Sequence, residues 1–285
     1  MWSIVQKEYR QRARGVATVG LIITYTLILG GVSFLVYLGS YAGLETGSTT
    51  AGSVGRNMCI ATFIAQLLLA LMLSLSINAS TIAAEKDQET FDLLNLTLFR
   101  SWEIVFGKFL SSTGFLLILV VTAIPIYTLA FTFGGVSPDF FWRLAAIVVG
   151  STLLVSAIGL LLSLTSEDLR TALGRAFLAL ILLGAVTGLF GSFLTGSLSS
   201  SPPNVLTYWV GAASWLVNPV FSAIEVLNGL NISWPTPQPV FVPMMLRQGV
   251  WLWSAVAQVV LAAALLLATS VIYPKYRASR SGGVG

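Results

Sequence analysis

Six long stretches of this chain contain no charged residue, and this feature most restricts what the chain folds into. A helix needs about 20 apolar residues to cross a bilayer, and a charge at the bilayer centre costs about 2.5–3.5 kcal/mol. The uncharged stretches cover 15–44, 57–84, 109–138, 144–166, 176–224 and 248–274. They predict an all-α integral membrane protein with six transmembrane helices, at about 16–38, 58–82, 109–133, 143–165, 176–197 and 249–273.

Composition supports a membrane protein and removes several kinds of chemistry. Charged residues make up 9% of the chain, whereas soluble domains carry about 25%. The sequence has no histidine, and Cys59 is its single cysteine. An internal disulfide, a cysteine-cluster metal site and a histidine base are therefore excluded. We expect no catalytic residue, no bound metal and no cofactor held by this chain, and we predict that it is not an enzyme by itself.

Basic residues predict the orientation, because cytoplasmic loops are enriched in Lys and Arg. Six spans place 12 of the 15 basic residues on one side. The other side receives only Arg56, Arg143 and Arg247. We therefore expect a multi-pass protein of the plasma membrane with both termini in the cytoplasm.

Three segments outside the spans have distinct patterns. Residues 1–15 predict an interfacial amphipathic helix, because apolar residues recur three and four apart opposite Lys and Arg. Residues 274–285 form a basic tail. The external region 198–248 is long and rich in proline, and its apolar part predicts a re-entrant or interfacial hairpin before the last span. A seventh span through 205–224 is the alternative, and it would place the tail outside.

A few polar and small residues inside the predicted spans are candidate functional positions. Hydrogen bonding between helices is the common use of such polar residues, and a place along a transport pathway is the second reading. The candidate pathway residues are Gln66, Ser74, Asn78 and Gln258. Gly184 and Gly188 form a small-xxx-small pattern that favours close helix packing, either within one subunit or between two.

A short polar segment, residues 85–108, interrupts the apolar chain and carries eight charged residues. Acidic residues at 85, 87, 89 and 92 alternate with apolar residues at roughly helical spacing. A turn between two spans would need far fewer residues. The pattern therefore predicts an amphipathic helix at about 84–96 that docks on a partner or on the membrane surface.

This segment resembles the cytoplasmic coupling segment of the membrane subunits, or permeases, of type-2 ABC exporters. Glu89 stands where that family usually has Gly, and Leu98 stands where it usually has Pro. The residues that match the family pattern in register are Glu85, Lys86, Asp87, Thr90, Phe91, Asp92, Leu93, Leu94, Thr97, Glu103, Ile104, Gly107 and Lys108.

The resemblance implies a membrane subunit that does not hydrolyse ATP itself. Two separate ABC ATPase subunits would bind ATP and Mg²⁺, and a second permease copy, identical or paralogous, would complete the pathway. The sequence agrees in lacking a Gly-x-x-x-x-Gly-Lys-Ser/Thr phosphate loop. The resemblance implies a prokaryotic inner membrane, export as the direction, and the following ATPase-coupling residues within the segment 84–107: Glu85, Lys86, Asp87, Glu89, Thr90, Phe91, Asp92, Leu93 and Leu94.

Uncharged span centres favour an apolar, amphipathic or lipid-like cargo over a small ion. We also expect this chain to contact membrane lipid, and we expect no nucleic-acid partner. A secondary transporter is one alternative, although ion coupling usually requires a buried Asp, Glu or His near the midplane. A membrane-embedded enzyme is a second, although the three external acids lie far apart in sequence. A non-transporting membrane scaffold is the third, and it would explain a docking helix equally well.

Overall fold

The protein is all-helical over the residues that its computed structural model describes, namely 15–45, 47, 50–88, 100–197, 213, 216–228 and 250–281. Six helical segments are long and apolar enough to cross a membrane, as the sequence predicts. The helices are α1 Val16–Glu45, α2 Ala51–Asp87, α3 Ser101–Thr122, α4 Ile124–Thr132, α5 Pro138–Thr165, α6 Leu169–Ser197, α7 Pro219–Asn228 and α8 Val250–Ser281.

The spanning helices are longer than the apolar runs because polar residues cap them outside the runs. Thr50 begins α2, and its side chain accepts from the Ser53 backbone N–H while Ser53 accepts from the Thr50 N–H in return. Ser137 begins α5, and Pro138 follows at the first helical position, where its missing N–H costs nothing. At 37 residues, α2 is about 55 Å long and exceeds the hydrocarbon core of a bilayer.

The third span is divided into α3 and α4 at Ala123, two residues before Pro125. Proline has no N–H to donate, and its ring crowds the carbonyl one turn earlier, so an interruption here is expected. A neighbouring helix also contacts the chain beside this break. The side-chain amide of Gln66 on α2 donates to the Val120 carbonyl oxygen at 3.2 Å.

Helices α2 and α5 form the centre of the bundle and pack extensively against each other. Helix α8 packs on α5, whereas α1 and α6 both pack on α2. In the most apolar 18-residue stretch of α5, 67% of the residues are buried. In the corresponding stretches of α1 and α6, only 17% and 11% are buried. The two outer helices therefore present broad apolar faces away from this chain.

Within residues 198–248 the structure describes one helix, α7, which packs against α5, α6 and α8. Asn218 precedes it in non-helical conformation, so a helix through 205–224 would be interrupted at this residue. A helix of ten residues is too short to cross a bilayer. Residues 1–14 and most of 198–248, where the sequence predicts an interfacial helix and a hairpin, lie outside the described residues.

Candidate functional site at the basic end of the bundle

The polar segment 85–108 is described at both of its ends, and both belong to spanning helices. Residues 84–87 form the last turn of α2, not the start of a separate helix, and residues 101–108 form the first two turns of α3. Around them lie the end of α5 and the start of α6. We refer to this region, with its Lys86, Lys108, Arg170 and Arg175, as the basic end.

Glu85 joins α2 to α3. Its Oε1 accepts from the Lys108 ammonium at 2.6 Å, and the Lys108 side chain is only 3% exposed, against 26% for Glu85. Such burial strengthens the attraction, because little water screens the pair. The first turns of α3 are therefore held to the last turn of α2 by charge as well as by packing.

Lys86 joins α2 to the end of α5. Its ammonium donates to the carbonyl oxygens of Leu164 and Ser166, the latter at 2.8 Å, and the residue is 7% exposed. The last carbonyls of a helix have no partner within that helix and carry partial negative charge. A buried lysine at this position satisfies these carbonyls and finds its own hydrogen-bond acceptors at the same time.

Asp87 joins α2 to the start of α6. Its Oδ2 accepts from the Leu169 backbone N–H at 3.2 Å. A second carboxylate, that of Asp168, accepts from the Thr171 side chain and backbone at the same helix end. Hydrogen bonding from the Thr171 hydroxyl is the main reason why the pKa of Asp168 is lowered. Two carboxylates thus lie at the partially positive N-terminus of α6.

Just below these contacts, α5 approaches α2 unusually closely. The Ser163 hydroxyl lies 2.9 Å from the backbone nitrogens of both Ile82 and Ala83. One turn earlier, a Cβ added at Gly159 would lie 3.1 Å from the Asn78 Cβ and 3.2 Å from the Leu75 carbonyl oxygen. Sequence reasoning missed Gly159 and Ser163, although they form the same small-xxx-small pattern that it recognised at Gly184 and Gly188.

Three of the four candidate pathway residues lie on α2, and all three are buried within the bundle. Gln66 accepts from the Tyr127 hydroxyl at 2.6 Å. Ser74 donates to the carbonyl of its own helix at Ala70. Asn78 accepts from the Ser112 hydroxyl of α3 at 2.6 Å and donates to the Ser74 carbonyl. These contacts are within and between helices of one chain, so contact with cargo stays a prediction and requires these helices to separate.

Gln258, the fourth candidate, belongs to a buried polar network around α7. Its side chain accepts from the Ser151 hydroxyl at 2.9 Å and donates to Ser222 at 3.3 Å. Asn218 extends this network to α6, donating to the Gly184 carbonyl oxygen at 3.1 Å and to the Thr187 hydroxyl at 2.7 Å. The network therefore fixes α7 to three spanning helices.

The two glycines predicted to mediate packing differ in their surroundings. A Cβ at Gly188 would lie 3.1 Å from the Phe221 ring of α7, whereas a Cβ at Gly184 would meet nothing within 4 Å. Gly188 thus allows α7 to lie close to α6, within one chain. Gly184 contributes its carbonyl oxygen to Asn218.

We expect Asn218→Ala to destabilise the folded chain by about 2 kcal/mol. Asn218 also accepts from the Val220 and Phe221 N–H groups at the start of α7, and losing a helix cap costs about 1 kcal/mol, with about 0.6 kcal/mol for each interhelical hydrogen bond in a membrane. Thermal unfolding in detergent measures the effect. Asn218→Ser keeps a capping oxygen and should recover roughly half of the lost stability. Equal unfolding midpoints for the unsubstituted chain and both variants would contradict the role of Asn218 as cap and interhelical donor.

Six of the predicted coupling residues, Glu89, Thr90, Phe91, Asp92, Leu93 and Leu94, lie outside the described residues. The three that are described, Glu85, Lys86 and Asp87, contact other helices of this chain. No protein-family model matches the sequence, and a search of characterised proteins gives no match.

Proposed function

We propose that this chain is the membrane subunit of a type-2 ABC exporter, which pairs with a second permease copy and is driven by separate ATPase subunits. The observation that carries the proposal is the polar segment 85–108. Its residues match the coupling segment of that family in register. Both ends are anchored by Glu85 and Lys108, which are paired at 2.6 Å. An anchored polar segment between two spans is what a docking element requires.

Exposed apolar faces support a second permease copy. On α2, Ile64, Leu68 and Met72 lie four residues apart, and their exposed fractions are 37%, 52% and 43%. Helices α1 and α6, which pack on α2, are the least buried of the spanning helices by their most apolar windows. In our proposal these three helices face the second copy and line the pathway between the two subunits.

The same faces favour an apolar, amphipathic or lipid-like cargo. The large side chains that α2 exposes at 64, 68 and 72 are apolar, and the polar residues of α2 at 66, 74 and 78 are buried and hydrogen-bonded. An ion or a polar solute crossing along this face would lose hydration without replacement partners. The apolar part of an amphipathic cargo does not incur this cost.

In this proposal the basic end lies in the cytoplasm of a prokaryotic cell, where the excess of Lys and Arg is expected. The ATPase subunits bind ATP and Mg²⁺, and this chain binds neither. Helix α7, with the polar residues that fix it to α5, α6 and α8, belongs to a re-entrant hairpin on the external side. Its backbone is then buried in protein, which is the condition for non-spanning structure at membrane depth.

Copurification from native membranes tests the proposal. We expect the tagged chain, extracted in mild detergent, to retain a near-stoichiometric ATPase subunit. The double variant Phe91→Ala/Leu94→Ala should lose it, because apolar side chains of the polar segment would fill the ATPase cleft. Trp142→Ala is a matched control, since Trp142 is a 68% exposed aromatic residue at the opposite end of the bundle.

Each outcome of this experiment has a distinct meaning. An ATPase retained by the Trp142 control and lost in the double variant supports both the permease and the docking segment. An ATPase retained by the double variant would reject Phe91 and Leu94 as docking residues. If no ATPase copurifies in several detergents, the exporter proposal fails, and a scaffold or a secondary transporter explains the chain better.

A further inference from the structure

Two adjacent charged residues at the end of α2 each contact a helix end of opposite partial charge. The C-terminus of a helix is partially negative and the N-terminus partially positive. Lys86 contacts the carbonyls at the C-terminus of α5, and Asp87 contacts the N–H of Leu169 at the N-terminus of α6. The opposite order, acid then base, would place a like charge at both helix ends.

Glu85, the preceding residue, contacts a third helix through Lys108 of α3. Three consecutive side chains in one helical turn of α2 therefore reach three different helices. We call Glu85, Lys86 and Asp87 the 85–87 clamp. The clamp occupies the start of the polar segment 85–108, and we call the part of that segment beyond Gln88, residues 89–99, the docking segment.

We propose that the 85–87 clamp is a set of positioning residues that carries the displacement of the docking segment into α3, α5 and α6 together. This inference rests on the proposed function, and it assigns to these three residues a role other than direct contact with the ATPase. Their side chains contact other helices of their own chain. The contact surface for the ATPase then begins beyond Gln88.

The link to α6 is the one for which the clamp matters most. Only 11% of the most apolar window of α6 is buried, so this helix contacts the rest of the chain over a narrow face. Near its start, α6 is tied by Leu169 to Asp87 and by Arg175, which donates to the Thr165 carbonyl oxygen at 3.3 Å. Movement of the α2 end therefore reaches the start of α6 through polar contacts at the basic end as well as through the packing of α6 on α2.

The test measures movement separately from ATPase binding. Spin labels are placed through Leu110→Cys on α3 and Leu178→Cys on α6, two positions that are 46% and 55% exposed, while the native Cys59 is buried. The distance between the labels is measured in the purified complex with its ATPase, with and without a non-hydrolysable ATP analogue. The unsubstituted clamp should give a nucleotide-dependent shift in the distance.

Paired variants separate transmission from folding. Asp87→Ala removes the acceptor for Leu169, whereas Asp87→Asn keeps a side-chain oxygen in the same place. Asp87 is exposed, so neither change should unfold the chain. Lys86→Met and Lys86→Arg form a second pair, in which Arg keeps the charge and the donors.

We expect Asp87→Ala and Lys86→Met to keep the ATPase bound and to lose the nucleotide-dependent shift, and we expect Asp87→Asn and Lys86→Arg to retain the shift. A normal shift in Asp87→Ala with the ATPase bound would overturn the clamp and leave the exporter proposal standing. Loss of the ATPase itself from the Asp87→Ala complex would also overturn it, because Asp87 would then be a docking residue. If the unsubstituted chain copurifies with no ATPase, the proposed function fails first.

Discussion

Lys108→Met is expected to lower the free energy of unfolding by about 3 kcal/mol, because it removes the buried ammonium that pairs with the Glu85 carboxylate. Removing one member of a buried ion pair costs about 3–5 kcal/mol. Glu85 is 26% exposed and retains some access to water, which places the expected cost at the lower end. Methionine has a similar length to lysine and fills the same space, so the change in packing is small.

A double substitution distinguishes the charge from the packing. Glu85→Gln/Lys108→Met removes both charges, and we expect it to be more stable than Lys108→Met alone, because no uncompensated charge remains. The purified chains are heated in the same detergent, and size-exclusion chromatography measures the fraction that stays folded at each temperature. The unfolding midpoints give the order of stability. If Lys108→Met unfolds at the same temperature as the unsubstituted chain, the pair contributes nothing and the basic end is held by packing alone.

Six spanning helices were predictable because membrane insertion is decided by local composition. A charge-free run of 20 residues is apolar enough to insert into a bilayer whatever the rest of the chain does. The interruption near Pro125 is predictable for the same reason, since a proline disturbs its own helix. Ends were harder to place, because α2 continues to Asp87 and α5 begins at Pro138, beyond the apolar runs. Polar caps and contacts with other helices determine where these helices begin and end.

Contacts between helices could not be predicted from local patterns. The charges at 85–87 suggested contact with a separate protein subunit, because the sequence does not reveal that α5 ends and α6 begins beside them. Lys86 and Asp87 bind the backbone groups of Leu164, Ser166 and Leu169, which have no sequence signature. Candidate pathway residues were chosen for polarity alone, and polarity does not indicate on which side of a helix a neighbour packs.

Gly159→Leu is expected to destabilise the chain by about 3 kcal/mol, because α5 and α2 are in backbone contact at this position. A Cβ at Gly159 would already lie 3.2 Å from both the Ala79 nitrogen and the Leu75 carbonyl oxygen. Those atoms belong to the backbone of a central helix and cannot rotate away. Overpacking of this kind costs about 1–3 kcal/mol, and a leucine adds three further carbons beyond the Cβ.

Separation of α2 and α5 at Gly159 should also weaken the contact one turn away, where Ser163 reaches the nitrogens of Ile82 and Ala83. Gly159→Ala should be much milder than Gly159→Leu, since its Cβ requires shifts of only a few tenths of an ångström. Gly114→Leu is the matched control on α3, where an added Cβ meets nothing within 4 Å. Thermal unfolding of the three variants should place Gly159→Leu far below the other two. Equal midpoints for Gly159→Leu and Gly114→Leu would mean that α2 and α5 are not in close contact here, and the clamp above them would lose its structural support.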